Sequence, residues 1–276
     1  MKILVFGKTG QVSLALARQA EVISVGRDMA DLENADRCAE VIHQFAPDAV
    51  INAAAYTAVD KAETEVESAY KINAHAPASM AVAAAALDIP LVHISTDYVF
   101  DGSGTKSRAE TDEINPLQIY GKSKREGEVN VQAANGRYAI LRTSWVFSRD
   151  GANFVKTMLR LGADRDALSI VGDQVGGPTP ADAIAAACLT MATDLVADKT
   201  KSGIYHFSGS EDVSWADFAT AIFEAAGMDV AVTAIPSKDY PTPATRPLNS
   251  RLDCALIKEV FGIERPDWRA AVAKIV

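Results

Sequence analysis

The chain has 276 residues and a net charge of −9, enough length for one large α/β domain, or a large domain with a smaller lobe, around a sizeable core. Hydrophobic residues make up 49% and charged residues 23%, an ordinary globular balance, and the acidic excess argues against a nucleic-acid binder with its basic face. A few local Arg or Lys residues would still suffice for an anionic small ligand.

The N-terminus shows no secretory cleavage site, and the Ala-rich run 76–87 is too short to span a bilayer. No membrane association is therefore expected. Cys38, Cys188 and Cys254 are odd in number and lack metal-like spacing, so they read as buried thiols of a reducing cytoplasm. No metal site is visible. His93 lies inside an apolar strand and reads as a satisfied core histidine.

The run 2–6 has β character and ends in Gly7-Lys8-Thr9-Gly10-Gln11-Val12-Ser13, which passes into a helical pattern. Strand, glycine turn and helix in that order are the setting of a dinucleotide fingerprint. Gly7 permits the tight turn, and Gly10 lets the backbone approach a pyrophosphate resting on the first helical amides. Ser13 stands where the fingerprint has its third glycine, which sets the helix slightly further from the strand. A second strand, 21–25, ends in Gly26-Arg27-Asp28. An acid at this strand end holds an adenosine 2′-hydroxyl, whereas an arginine accommodates a 2′-phosphate, so Arg27 points toward NADPH with NADH kept open. Asp31 and Leu32 follow, placed to cap an adenine pocket, before a helix over 35–45.

The stretch 47–55 reads as a third buried strand that empties into Ala53-Ala54-Ala55, small residues over which a flat ligand can lie. After Tyr56-Thr57-Ala58-Val59 a helical pattern runs to Leu87. The run 91–95 is a fourth strand that delivers Ser95 and Thr96 at its carboxyl end, the edge where open α/β sheets bind ligands. Strands alternating with helices predict a doubly wound parallel sheet of the Rossmann kind. The loop 98–117 is longer than most connections in compact domains and is expected to act as an active-site flap.

Tyr120 and Lys124 come next. Residues four apart share a helix face, so a phenol and an ammonium can be presented to one point. Of seven tyrosines, only Tyr120 has a lysine four residues on. A phenol has an ordinary pKa of about 10, and a neighbouring cation lowers it, which suits a carbonyl–alcohol interconversion. A fifth strand over 137–142 leads to Thr143-Ser144-Trp145. Beyond a soft boundary near residue 150 the pattern predicts helices over 153–160, 181–196 and 215–226, the last capped by Ser214, and a strand over 204–208. The proline-stiffened stretch 240–250 cannot be helical. It could hold Arg246 and Asn249 against a phosphate. Two short helices close the chain.

The segments Phe6-Gly-Lys-Thr-Gly-Gln-Val12, Asn52-Ala-Ala-Ala-Tyr-Thr-Ala-Val-Asp-Lys-Ala-Glu63, Ser95-Thr-Asp-Tyr-Val-Phe100, Tyr120-Gly-Lys-Ser-Lys124, Arg142-Thr-Ser-Trp145 and Tyr240-Pro-Thr-Pro-Ala244 resemble the extended short-chain dehydrogenase/reductases. The likeness runs from Lys2 to about Trp268. It implies a Rossmann domain over 1–150, extending in part into later segments, and a smaller sugar-nucleotide-binding lobe over 151–276. It also implies reduction, by NADPH or NADH, of the 4-keto group of dTDP-4-dehydro-6-deoxy-L-mannose in the cytoplasm, and is compatible with a homodimer. Tyr120 is then the proton donor, Thr96 its partner on the substrate oxygen, and Lys124 the holder of the nicotinamide ribose. Gly7, Gly10, Gln11 and Val12 cradle the pyrophosphate, and Ala55, Tyr56 and Thr57 lie beneath the coenzyme. Val59, Thr96, Asp97 and Trp145 face the sugar; Asn153, Arg246 and Asn249 face the nucleotide diphosphate. Two other readings of the same scaffold stay open: a sugar-nucleotide epimerase or dehydratase, and a non-catalytic regulatory subunit. A dehydratase places an Asp-Glu pair after the threonine, where this chain has Asp97-Tyr98.

Overall fold

The computed structural model describes all residues 1–276. Its centre is a six-stranded sheet in which every neighbouring pair is parallel. Five strands come from the first half: β1 (Ile3–Phe6), β2 (Val22–Val25), β3 (Ala49–Asn52), β4 (Leu91–Thr96) and β5 (Tyr138–Thr143). The spatial order is β5, β4, β3, β1, β2, and the strand Gly203–His206 returns from the second half to pair with β5.

Both faces of this sheet are covered, as continuous apolar strands require. Side chains alternate along a strand, and β1 shows the consequence directly. Ile3 and Val5 enter one core with Val12 and Leu16 of the helix Gln11–Gln19 and with Ile184, Cys188 and Met191 of the helix Ala181–Ala197. Leu4 and Phe6 enter the opposite core with Val41, Ile42, Met80 and Val131 from the helices Ala35–Phe45, Ala76–Ala86 and Ile119–Ala133. A third core, with Phe147, Phe218, Phe223 and Trp268, lies in the second half, where Ala167–Val171 and Ala231–Ile235 pair in parallel.

The helix starts obey local chemistry. Asn34 accepts from the Arg37 amide at 3.2 Å, and Ser214 forms a reciprocal capping box with Asp217. The three cysteines are buried and unpaired. No helix is long and apolar enough to cross a membrane.

The loop after β4 departs from the expected flap. It is braced within itself by an Arg108–Asp101 ion pair at 2.8 Å and pinned to the second half, where Glu110 accepts from the His206 amide at 2.9 Å and the Arg108 amide donates to the Arg251 carbonyl at 2.9 Å. Its length reflects a tie between the two halves of the chain rather than a moving cover.

Candidate active site

A cavity of about 910 Å³ opens at the carboxyl ends of β1–β5, where the glycine turn, Thr96, Tyr120 and Trp145 meet. One wall is the turn itself, with Gly7, Gly10, Gln11 and Val12 on the lining. Gly10 caps the helix Gln11–Gln19, and no side chain bonds its first amides. Free donors at a helix start are an anion site in waiting. Gly7 holds φ +113°, and a Cβ there would come within 2.4 Å of Ser13 Oγ. Ser13 is therefore wedged under the turn, its hydroxyl buried without a partner.

Arg27 stands exposed on the rim at the end of β2, and Asp31 and Leu32 line the wall beyond. Asp31 Oδ1 accepts from the Glu33 amide at 3.1 Å, so part of its capacity stabilises its own turn.

Ala55, Tyr56 and Thr57 form the floor. Asn73 grips the Tyr56 backbone from both sides: its Oδ1 accepts from the amide at 2.9 Å and its Nδ2 donates to the carbonyl at 3.1 Å. Asn73 lies in a π-helical turn, Lys71–His75, which interrupts the long helix expected there. Its Nδ2 also donates to Ser123 Oγ at 3.1 Å, and Ser123 donates to the Tyr120 carbonyl at 2.9 Å. The floor is thereby tied to the helix carrying Tyr120. Glu63 fixes the start of that helix by accepting from the Ile119 amide at 2.9 Å.

Tyr120 packs edge-on against Tyr98, ring centroids 5.4 Å apart. Desolvation raises its pKa to about 12; a hydrogen bond with Thr96 opposes this, and the charge of Asp97 reinforces it. The phenol thus keeps its proton at neutral pH. The expected contact with Lys124 does not form. Lys124 Nζ turns to the strand, donating to the Ile94 carbonyl at 2.7 Å and meeting His93 Nε2 at 3.3 Å. Burial lowers its pKa to about 8 against the pull of Glu128.

Thr96 ends β4, accepting from the Tyr98 amide at 3.2 Å and donating to Asp97 Oδ1 at 3.1 Å. Burial raises the Asp97 carboxyl to about 6, partly offset by the hydroxyls of Ser250 and Thr96. Asp97 Oδ2 and Ser250 Oγ each lack a bond of full geometry.

The sugar side is aromatic. Trp145 holds φ +49°, a left-handed conformation uncommon for a bulky residue, and stacks on Trp215 with centroids 3.6 Å apart and planes 12° from parallel. Val59 and Trp215 also line the cavity. Sequence reasoning missed Trp215 and Tyr98. Tyr98 could have been found beside Thr96, whereas the Trp stack joins positions seventy residues apart and has no local signal.

Three expected residues stand outside the lining. Asn153 caps the helix Phe154–Gly162, and its Nδ2 donates to Gln11 Oε1 at 3.0 Å and to the Ser148 carbonyl at 2.7 Å. Asn249 Nδ2 donates to the Lys106 carbonyl at 2.8 Å while its Oδ1 accepts from Arg251. Arg246 pairs with Asp60 at 2.8 Å and donates to the Ala244 carbonyl. In each case a polar side chain judged free for a ligand is committed to holding backbone or a neighbouring charge.

Below the site, Glu128 and Arg142 form a fully buried bidentate pair at 2.8 and 2.7 Å, with Ser95 donating to the same carboxylate at 2.7 Å. Burial works against the Glu128 anion, yet these bonds hold it below the usual carboxylate range.

The family model of the RmlD substrate binding domain matches residues 1–276. The chain belongs to that family. It is 45% identical to the dTDP-4-dehydrorhamnose reductase of Sinorhizobium fredii, over all of this chain and 97% of the relative. Among solved structures, it is similar to a dTDP-4-dehydrorhamnose reductase of Clostridium acetobutylicum (TM-score 0.93, 39% identity, 100% of this chain and 98% of that one). A dTDP-4-dehydrorhamnose reductase of Bacillus anthracis, solved in complex with NADP, superposes with TM-score 0.92 at 34% identity, covering 100% of this chain and 99% of that one.

Proposed function

We infer that this protein reduces the 4-keto group of dTDP-4-dehydro-6-deoxy-L-mannose to give dTDP-L-rhamnose, with NADPH or NADH as reductant. The observation that carries the reading is one cavity joining an uncapped helix start to a protonated phenol and a strand-end threonine. A dinucleotide fits these residues. The free amides after Gly10 receive its pyrophosphate, the Ala55–Thr57 floor its flat rings, and Arg27 a 2′-phosphate if NADPH is used. When bound, it supplies the hydride.

The chain's own part is placement and proton supply. Tyr120 gives its proton to the oxygen that gains charge as the ketone is reduced, and Thr96, its hydroxyl turned from Asp97, donates a hydrogen bond to that oxygen. Lys124 serves the ribose. Asp97, Val59 and Trp145 hold the deoxysugar, with Trp215 fixing Trp145 from behind. Residues 1–150 with the segments that return to the sheet form the coenzyme side, and the remainder of 151–276 forms the sugar-nucleotide side. Three buried free thiols fit a reducing cytoplasm.

The test is purified protein with NADPH or NADH and the 4-keto sugar nucleotide, following coenzyme consumption. Stoichiometric oxidation is expected; an epimerase would interconvert sugars with no net consumption. Tyr120→Phe should lower turnover by about 10²–10⁴ while coenzyme still binds. Full activity in that variant would remove Tyr120 from the mechanism.

A further inference from the structure

The loop 148–153 leads into the second half of the chain and folds back over the first helix, Gln11–Gln19, near both of its ends. Toward the far end, Arg18 ion-pairs with Asp150 and, at 2.8 Å, with Asp182. At the near end the contact falls on Gln11, which lines the cavity beside Gly10. Gly151 passes so close that a Cβ on it would lie 3.6 Å from Gln11 Cγ.

The direction of the Gln11 carboxamide follows from one fixed acceptor. The helix Phe154–Gly162 starts on Asn153, whose Oδ1 accepts from the Lys156 amide at 3.1 Å. That bond decides which end of the Asn153 amide is oxygen, so its other end is NH2, with two donors and no acceptor. One hydrogen goes to the Ser148 carbonyl at 2.7 Å and the other to the Gln11 side chain at 3.0 Å. The Gln11 atom facing Asn153 must then be Oε1, because the reverse placement sets two NH2 groups against each other. Ser148 Oγ lies 3.0 Å from the same oxygen and shares its hydrogen with the Asp150 carbonyl at 2.8 Å. With Oε1 turned to the loop, the hydrogens of Nε2 are left for the cavity that Gln11 lines.

We propose that Asn153 is a positioning residue that turns the Gln11 carboxamide so that its NH2 donates to the diphosphate of the coenzyme. This rests on the reading of the cavity as a dinucleotide site. The first helical amides and the Gln11 side chain then meet one anion, and the side-chain donor is set from the sugar-nucleotide half. A glutamine left to itself has a choice of rotamer and of amide face. Fixing both before the coenzyme arrives removes an ordering cost from binding. Asn153 thus serves a diphosphate, but the coenzyme's, and through another side chain.

The test is a double-mutant cycle on coenzyme affinity, read by titrating the intact protein with NADPH and with NADH in the absence of sugar nucleotide. Asn153→Ser keeps a helix cap but is too short to hold Gln11. Its Kd should rise by about three- to tenfold for both coenzymes, the value of one hydrogen bond, since both carry the diphosphate. Gln11→Ala should weaken binding to a similar degree, and adding Asn153→Ser to it should change nothing further. At saturating coenzyme, the KM of Asn153→Ser for the 4-keto sugar nucleotide should stay at its wild-type value. An unchanged Kd in folded Asn153→Ser overturns the proposal, as does an equal effect with and without the Gln11 side chain. A rise confined to the KM for the sugar nucleotide overturns it too, by giving Asn153 a direct contact there. If Asn153→Ser does not fold, Asn153→Asp, a cap as good as asparagine, goes through the same cycle. Its added charge acts in both backgrounds and cancels, leaving the coupling. A wild-type protein that binds neither coenzyme refutes the dinucleotide reading and this role of Asn153 with it. One that binds coenzyme without turnover refutes the proposed reduction alone.

Discussion

Replacing Asp97 by Asn should stabilise the protein, and the gain should depend on pH. The Asp97 carboxyl rises from an ordinary value of 3.8 to about 6 because burial disfavours its charge. A carboxyl whose folded pKa is raised costs stability above that pKa and costs nothing below its unfolded value. At about 1.36 kcal/mol per pKa unit, the gap amounts to about 3 kcal/mol lost to the wild-type protein at pH 8. Near pH 5 the unfolded carboxyl is already ionised while the folded one is mostly protonated, so about half of that loss remains. Asparagine keeps the shape and accepts from Thr96 without ever ionising. With an unfolding entropy of about 2.1 cal/mol/K per residue, 3 kcal/mol corresponds to about 5 °C in Tm for a chain of this length. Thermal unfolding of both proteins at pH 5 and pH 8, at matched scan rate, measures the two differences. An Asn variant that melts lower at pH 8, or a difference equal at both pH values, would refute the argument that desolvation controls this carboxyl. Its activity should fall nonetheless if Asp97 holds the sugar as proposed.

Other substitutions probe the supports of the site. Glu128→Gln leaves the buried Arg142 guanidinium without its counter-charge and should cost about 3–5 kcal/mol in denaturant unfolding; a loss under 1 kcal/mol would mean water reaches the pair. Gly121→Ala places a Cβ 2.1 Å from the Tyr98 carbonyl oxygen, so the helix must shift. A displacement of about 1 Å at Tyr120 should lower kcat by about 10²-fold, whereas normal kcat would show that the Tyr98 turn yields instead. Arg27→Ala should raise the KM for NADPH about tenfold, the value of one exposed charge-assisted bond, and leave that for NADH unchanged; equal effects on both would deny Arg27 a 2′-phosphate.

Much of the fold is legible because its cues are local. Continuous apolar strands that alternate with helical patterns predict the parallel sheet, and β1 with its glycine turn lies where the pattern puts it. Thr96, Tyr120 and Lys124 converge on one cavity because a strand end and an i, i+4 pair are themselves geometric statements. Asn153, Asn249 and Arg246 lie off the cavity lining for the opposite reason. Loop polar residues are chosen by the backbone groups and charges they must satisfy, and those partners lie far away in sequence. The orientation of Lys124 is hidden likewise, since its partner His93 lies thirty-one residues earlier on a neighbouring strand. The pinned loop after β4 shows that length alone does not distinguish a cover from a clasp.

The strand Gly203–His206 supplies the last rung of the central sheet, and the helix Ala181–Ala197 lies against the helix that follows the glycine turn. During synthesis, then, the nucleotide-binding architecture stays unfinished until about three quarters of the polypeptide has left the ribosome. Until that point β5 offers a bare edge and the face bearing Ile3 and Val5 is covered only in part, by the helix Gln11–Gln19, which leaves the nascent first half aggregation-prone and unsuited to expression as a fragment of its own.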